Sequence, residues 1–111
     1  MSHVVVFVTA SSPEEAARIG RALVDERLAA CANLISPISS TYWWEGEVEE
    51  AKEALIILKT RQDLLGQLTH RVQALHSYTV PEVIALPIVG GNPDYLRWID
   101  DSVVSSEGSR R

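Results

Sequence analysis

The order of elements legible in the chain predicts an α+β protein: a ferredoxin-like βαββαβ antiparallel sheet with helices on one face, a long central hairpin and a C-terminal helix. Three observations predict it. Two strand–helix–strand halves of similar length follow each other. Between them the run Tyr42-Trp43-Trp44-Glu45-Gly46 ends one extended stretch in a turn and starts another. Pro87 interrupts the last apolar run, and since proline cannot donate to a ladder, that strand belongs at a sheet edge.

The first strand is Val4-Val5-Val6-Phe7-Val8, apolar at every position and β-branched at all but Phe7, as expected of a central strand covered on both faces. A helix begins at Ser12-Pro13-Glu14-Glu15: Ser12 is the N-cap, Pro13 fits the first helical position, and Glu15 completes a capping box. Ala16, Ile19, Leu23 and Val24 line its apolar face. A second strand follows from about Ala30 to Ile35, with Pro37 bending or ending it.

The returning hairpin arm runs from Glu47 to Thr60. Its first part, Glu47 to Leu55, is rich in strong helix formers, but the turn before it and the Leu55-Ile56-Ile57-Leu58 run after it, which reads as buried on both faces, favour a strand. As one strand it spans on the order of 45 Å, whereas a compact domain of this length is about 35 Å across. The tip therefore overhangs, carrying two tryptophans and unpaired backbone groups, and predicts a closed homo-oligomer in which hairpins pair between copies.

Thr60-Arg61-Gln62-Asp63 is expected to cap a second helix carrying Leu64, Leu68, Val72 and Leu75. Val83 to Ile88 is the fourth strand, and Asn92-Pro93-Asp94 caps a third helix with Tyr95, Leu96, Trp98 and Ile99. Residues 1–104 are expected to form a single domain, and 105–111 an unstructured tail.

Composition narrows the function. The chain has 111 residues and a net charge of -5, with lysines and arginines scattered, so no footprint for a nucleic acid backbone is present. The Val4–Val8 run is too short to span a membrane and lacks the flanks of a signal peptide. The single cysteine, Cys31, suits a reducing compartment, and a cytoplasmic location is expected. Phosphate-loop, CxxC, HExxH and Gly-x-Ser-x-Gly signatures are absent, and no nucleophile–base pair can be named, so no enzyme is expected.

The polar residues of interest gather at element ends. His76 ends a helix, where it would cap the dipole; with Tyr78 and Glu82 it also offers the nitrogen and oxygen donors of a divalent metal site. Cys31 is either a small hydrophobe or a soft ligand. Lys59-Thr60 would hold an anion at a helix N-terminus, or Thr60 is simply the cap. Trp43 and Trp44 suit interface packing or stacking on a ligand.

Taken in order, Arg27-Leu28-Ala29-Ala30-Cys31-Ala32-Asn33, Tyr42-Trp43-Trp44-Glu45-Gly46, Lys59-Thr60, His76-Ser77-Tyr78-Thr79-Val80-Pro81-Glu82 and Tyr95-Leu96-Arg97-Trp98 resemble the CutA divalent-cation tolerance family. The resemblance covers nearly the whole chain. It implies a ferredoxin-like subunit, a stable homotrimer with hairpins pairing between subunits, and a link to copper and other divalent cations. It also implies an architecture similar to the trimeric PII signalling proteins. Three departures stand out. Ser77 occupies the place of the proline usual after this histidine, Ala51 stands near the place of an acid usual in the third strand, and Val4 to Thr9 contains no thiol.

The expected function is divalent metal ion tolerance by a cytoplasmic homotrimer that binds copper above all. The metal ligands would be His76, Glu82 and Cys31, in a cleft that also holds Arg27, Asn33, Trp44, Lys59, Thr60 and Tyr78. The alternative is a PII-like small-molecule or anion-sensing scaffold using Arg27, Lys59 and Tyr78 in the same cleft.

Overall fold

The computed structural model describes residues 2–105. The elements run β1 (His3–Ala10), α1 (Pro13–Asp25), β2 (Cys31–Trp44), β3 (Glu47–Arg61), a 3-10 turn (Gln62–Leu64), α2 (Leu65–Leu75), β4 (Val83–Ile88) and α3 (Pro93–Ser102). The strands form one antiparallel sheet in the order β2-β3-β1-β4, so the strand carrying Pro87 lies at an edge as its missing N–H requires. The α+β ferredoxin-like class holds. Apart from Ser105, the tail expected over 105–111 lies outside the described residues.

The core fills the space between the sheet and α1 and α2. Val4, Val6, Val8 and Ala10 of β1 alternate inward with Ala54, Ile56 and Leu58 of β3, against Ile19, Leu23, Leu68 and Val72 of the helices. Covering of the sheet on both faces is not what the chain does. Val5, Phe7, Leu55 and Ile57 are only partly buried, and Ile84 and Leu86 on β4 remain 52% and 51% exposed. Cross-strand pairing aligns Phe7 with both Ile57 and Ile84, so these residues form one apolar band on the face away from α1 and α2. The apolar runs were legible, but α1 and α2 cover only one side, and on the other α3 reaches no further than the end that carries His3, Cys31 and Lys59.

The helix formers of Glu47 to Leu55 are in strand, paired with β2 from Trp44↔Glu47 to Ile38↔Glu53; tertiary pairing overrides their propensity. The turn Glu45-Gly46 has positive φ at both central residues (51° and 85°), the signature of the two-residue turn that matches strand twist. Pro37 does not end β2. The strand continues through a bulge, pairing Ile35 with Leu55 and then Ile38 with Glu53. The extra residue switches which β2 side chains face the uncovered side: Asn33 and Ile35 before it, Ile38, Ser40, Tyr42 and Trp44 after it. Residues 41–50 are all exposed, and the molecule measures 43 × 27 × 23 Å, its long axis in keeping with an overhanging hairpin.

Two caps differ from expectation. Ser12 Oγ accepts from Glu15 N as a capping box demands, but the Glu15 carboxylate returns to Ser11 rather than to Ser12. Thr60 does not cap α2. It is fully buried in β3, and its hydroxyl donates to Leu28 O, while the 3-10 turn leads into α2 without a side-chain cap.

Candidate functional site: a cleft at the hairpin base

A cleft of about 740 Å³ opens where the hairpin meets the loop between α2 and β4. One wall is β2, with Ser39, Ser40, Thr41, Tyr42 and Trp44; the other is the loop, with Ser77, Tyr78, Thr79 and Glu82; Thr9 and Glu53 line the rest. The bulge brings Tyr42 and Trp44 here, since without it the opposite side chains of β2 would face this side.

The loop is held from beneath by a buried network. His76 Nδ1 accepts from Tyr78 N at 3.0 Å, so the ring proton sits on Nε2 and donates to Thr9 O at 2.7 Å. The His76 side chain is fully buried, and its ring lies 4.7 Å from that of Tyr78. Beside it the Glu15 carboxylate accepts from Ser77 N at 2.7 Å and from Ser11 N and Oγ at 3.0 and 2.8 Å. Burial alone would raise the Glu15 carboxyl, but hydrogen bonds from Ser11 and Ser77 outweigh it and hold the group at about 2.

Above this floor the Tyr78 hydroxyl donates to Glu53 Oε2 at 2.6 Å. Burial first, then the bond to Glu53, pushes the phenol well above its ordinary value, so it remains a donor. Glu53 is 7% exposed, a carboxylate seated on the sheet face that also carries Leu55 and Ile57. Glu82 is exposed at the rim; desolvation, then the charge of Glu53, raises its carboxyl. None of the described residues lining the cleft is lysine, arginine or histidine.

The residues expected in one cleft divide between places. Trp44, Tyr78 and Glu82 meet here. Cys31, Asn33 and Lys59 meet elsewhere: Lys59 Nζ donates to Asn33 Oδ1 and lies 3.9 Å from Cys31 Sγ, which is 3.6 Å from Asn33 Oδ1. The six-residue step along β3 from Glu53 to Lys59 puts this trio roughly 20 Å away. Tyr95 packs beside it, its phenol raised by burial and then by Cys31. Arg27 lies in neither group. It has φ 61° just after α1, donates from Nη1 to Ser102 O at 3.1 Å, and its carbonyl accepts from Val104 N at 2.9 Å, tying the C-terminal segment to the helix end. Thr60 is buried in the core.

The ligand trio His76, Glu82 and Cys31 is therefore not assembled within one chain. Both His76 nitrogens are engaged with the backbone, and Cys31 is at the other end of the sheet. Among the described residues no group of three or more His, Cys, Asp or Glu side chains is placed to hold a metal ion. Glu53 and Tyr42 were the residues missed. Glu53 carried a signal: on β3 it shares the alternation of Leu55 and Ile57, so it is a charge on an apolar face.

The model of the CutA1 divalent ion tolerance protein family matches residues 4–102. The chain belongs to that family. A divalent-cation tolerance protein CutA of Thermus thermophilus is 49% identical over 98 residues, 88% of this chain and 95% of its own length. The rice chloroplastic protein CutA 1 is 50% identical over 103 residues, 93% of this chain. The chain spans 58% of that relative's length, and 54% of the length of the Arabidopsis thaliana chloroplastic protein CutA. Solved structures agree with the fold: the crystal structure of CutA1 from Oryza sativa superposes with a TM-score of 0.90 at 48% identity, covering 93% of this chain and 94% of that one. The Thermus thermophilus protein gives 0.89 at 48% identity, covering 91% and 98%.

Proposed function

We propose that the chain acts in divalent metal ion tolerance as a homotrimer that binds divalent cations without catalysing a reaction. The observation that carries the cation site is the cleft: Glu53 and Glu82 line it, and none of the described residues lining it is basic. Oxygen donors of this kind hold divalent ions, and copper leads the first-row order of affinity at a nitrogen or oxygen site. Glu82, already named as a ligand from the sequence, keeps that role; Glu53 replaces His76 as its partner. Membership of a family described by divalent ion tolerance supports the same reading.

Assembly is supported by the band of Phe7, Ile57, Ile84 and Leu86 that the chain leaves half covered, and by a hairpin exposed from 41 to 50. The free thiol of Cys31 suits the reducing cytoplasm, and no described helix is long and apolar enough to cross a membrane. An anion-sensing scaffold is not favoured, because Arg27 and Lys59 do not line the cleft.

Isothermal titration with copper decides the site. Glu82→Gln and Glu53→Gln are each expected to weaken binding about tenfold or more, as loss of a charged ligand does. His76→Ala is expected to lower stability instead, by unseating Thr9 and Tyr78. Unchanged copper affinity in both glutamine variants would overturn the carboxylate site.

A further inference from the structure

The cleft is far larger than a metal ion needs. At about 740 Å³ it falls in the range of pockets for small organic molecules, roughly 300–1,000 Å³. Its walls also suit something other than a bare ion. Tyr42 and Trp44 present aromatic surface from β2, Tyr78 faces them from the loop, and Thr79 adds a hydroxyl at the rim. Carboxylates beside aromatic faces are the means by which proteins recognise ammonium groups, the ring quadrupole and the anion both favouring positive charge.

We propose that the same cleft binds a small organic cation, a primary amine with a short apolar tail, with its ammonium between Glu53 and Glu82 and its tail along Tyr42 and Trp44. The inference rests on the reading of this cleft as a cation site and extends it to a second class of ligand. Charge selects the ligand through two features. Glu53 is 7% exposed and accepts from Tyr78 through one oxygen, so the carboxylate is fixed before a ligand arrives. With no basic residue among the described lining, an anion finds no opposite charge on the walls, and a neutral molecule meets the hydroxyls and aromatic faces but gains nothing from the two carboxylate charges. The ammonium donates three hydrogen bonds, which these carboxylates and the surrounding hydroxyls accept.

The test compares 2-phenylethylamine with 2-phenylethanol, nearly isosteric but differing in charge at neutral pH, by titration calorimetry on the full chain in its native assembly. Saturable binding of the amine, at least about tenfold tighter than the alcohol, is expected, as is a loss of about tenfold in Glu82→Gln. Glu82 lies at the exposed rim, so that variant should keep its circular dichroism spectrum; Glu53→Gln provides a second reading of the same site. Equal affinity for amine and alcohol, no saturable amine binding, or amine affinity unchanged in both variants would overturn the proposal. A parallel copper titration separates the two readings. Copper binding without amine binding removes this inference alone, and amine binding without copper binding removes the divalent site while supporting this one.

Discussion

Glu15 shows what a single side chain does when two elements need it. From the sequence it is a capping-box acid at the start of α1, and Ser12 does cap its N–H. Its carboxylate, however, holds Ser77 N, 62 residues away, and so anchors the loop that carries Tyr78 and Glu82. The cost of burying a charge is offset by hydrogen bonds from Ser11 and Ser77, and the group is held at about 2 against an ordinary 4.5. A carboxyl lowered on folding stabilises the protein fully above pH 4.5 and loses that contribution as pH falls towards 2. The expected loss is roughly 3 kcal/mol across that window. Urea denaturation at neutral pH, pH 4 and pH 2.5 checks it: Glu15→Gln should be less stable at neutral pH and should lose less on acidification. Parallel pH dependence in the two proteins would show that Glu15 is not the group responsible. His76 was equally legible as a helix-end residue, but its partner Thr9 O comes from a distant strand, which spacing alone does not reveal.

At the scale of elements, local signals were reliable where a single residue type forces the backbone. Pro13 at the start of α1, Asn92 accepting from Asp94 N at 3.0 Å, and the Glu45-Gly46 turn all stand where the chain said they would. Signals failed where neighbours decide. Pro37 left a bend or a strand end open, and only the pairing of β3 past it, with an extra residue absorbed in β2, decides for the bend. Thr60 suggested a cap, yet the buried face of β3 claims it. Gly20 was not singled out at all, and it sets how closely α1 lies on the sheet: a Cβ there would sit 3.2 Å from Ala32 Cβ and 3.7 Å from Ile56 Cγ2. Gly20→Val should therefore force α1 away from β2 and cost about 1–3 kcal/mol, even though valine suits a helix better than glycine in χ-independent backbone entropy. Thermal unfolding reads it; a variant as stable as the parent would mean that the helix shifts freely over Ala32.

For the molecule as a whole, the fold was legible because element order and the edge proline leave few topologies, whereas the site was not, because a bulge and a loop from opposite halves of the chain build it. The same wholeness governs assembly. An apolar band that α1 and α2 leave uncovered is costly in water, and burying it between copies would recover on the order of 25 cal/mol per Å² of apolar surface. Ile57 sits near its middle, paired with Phe7 and Asn33 and only partly buried within its own chain. Ile57→Glu places a charge in that band while leaving the core on the other face untouched. If copies meet through this face, the charge is stranded at the contact and the assembly should fall to monomers at micromolar concentration, with the far-ultraviolet circular dichroism of the subunit retained. Light scattering on parent and variant distinguishes the outcomes: a trimer from the parent and a folded monomer from Ile57→Glu support the contact. A variant that stays trimeric would place the joining surface on the hairpin alone, and a monomeric parent would remove the assembly altogether.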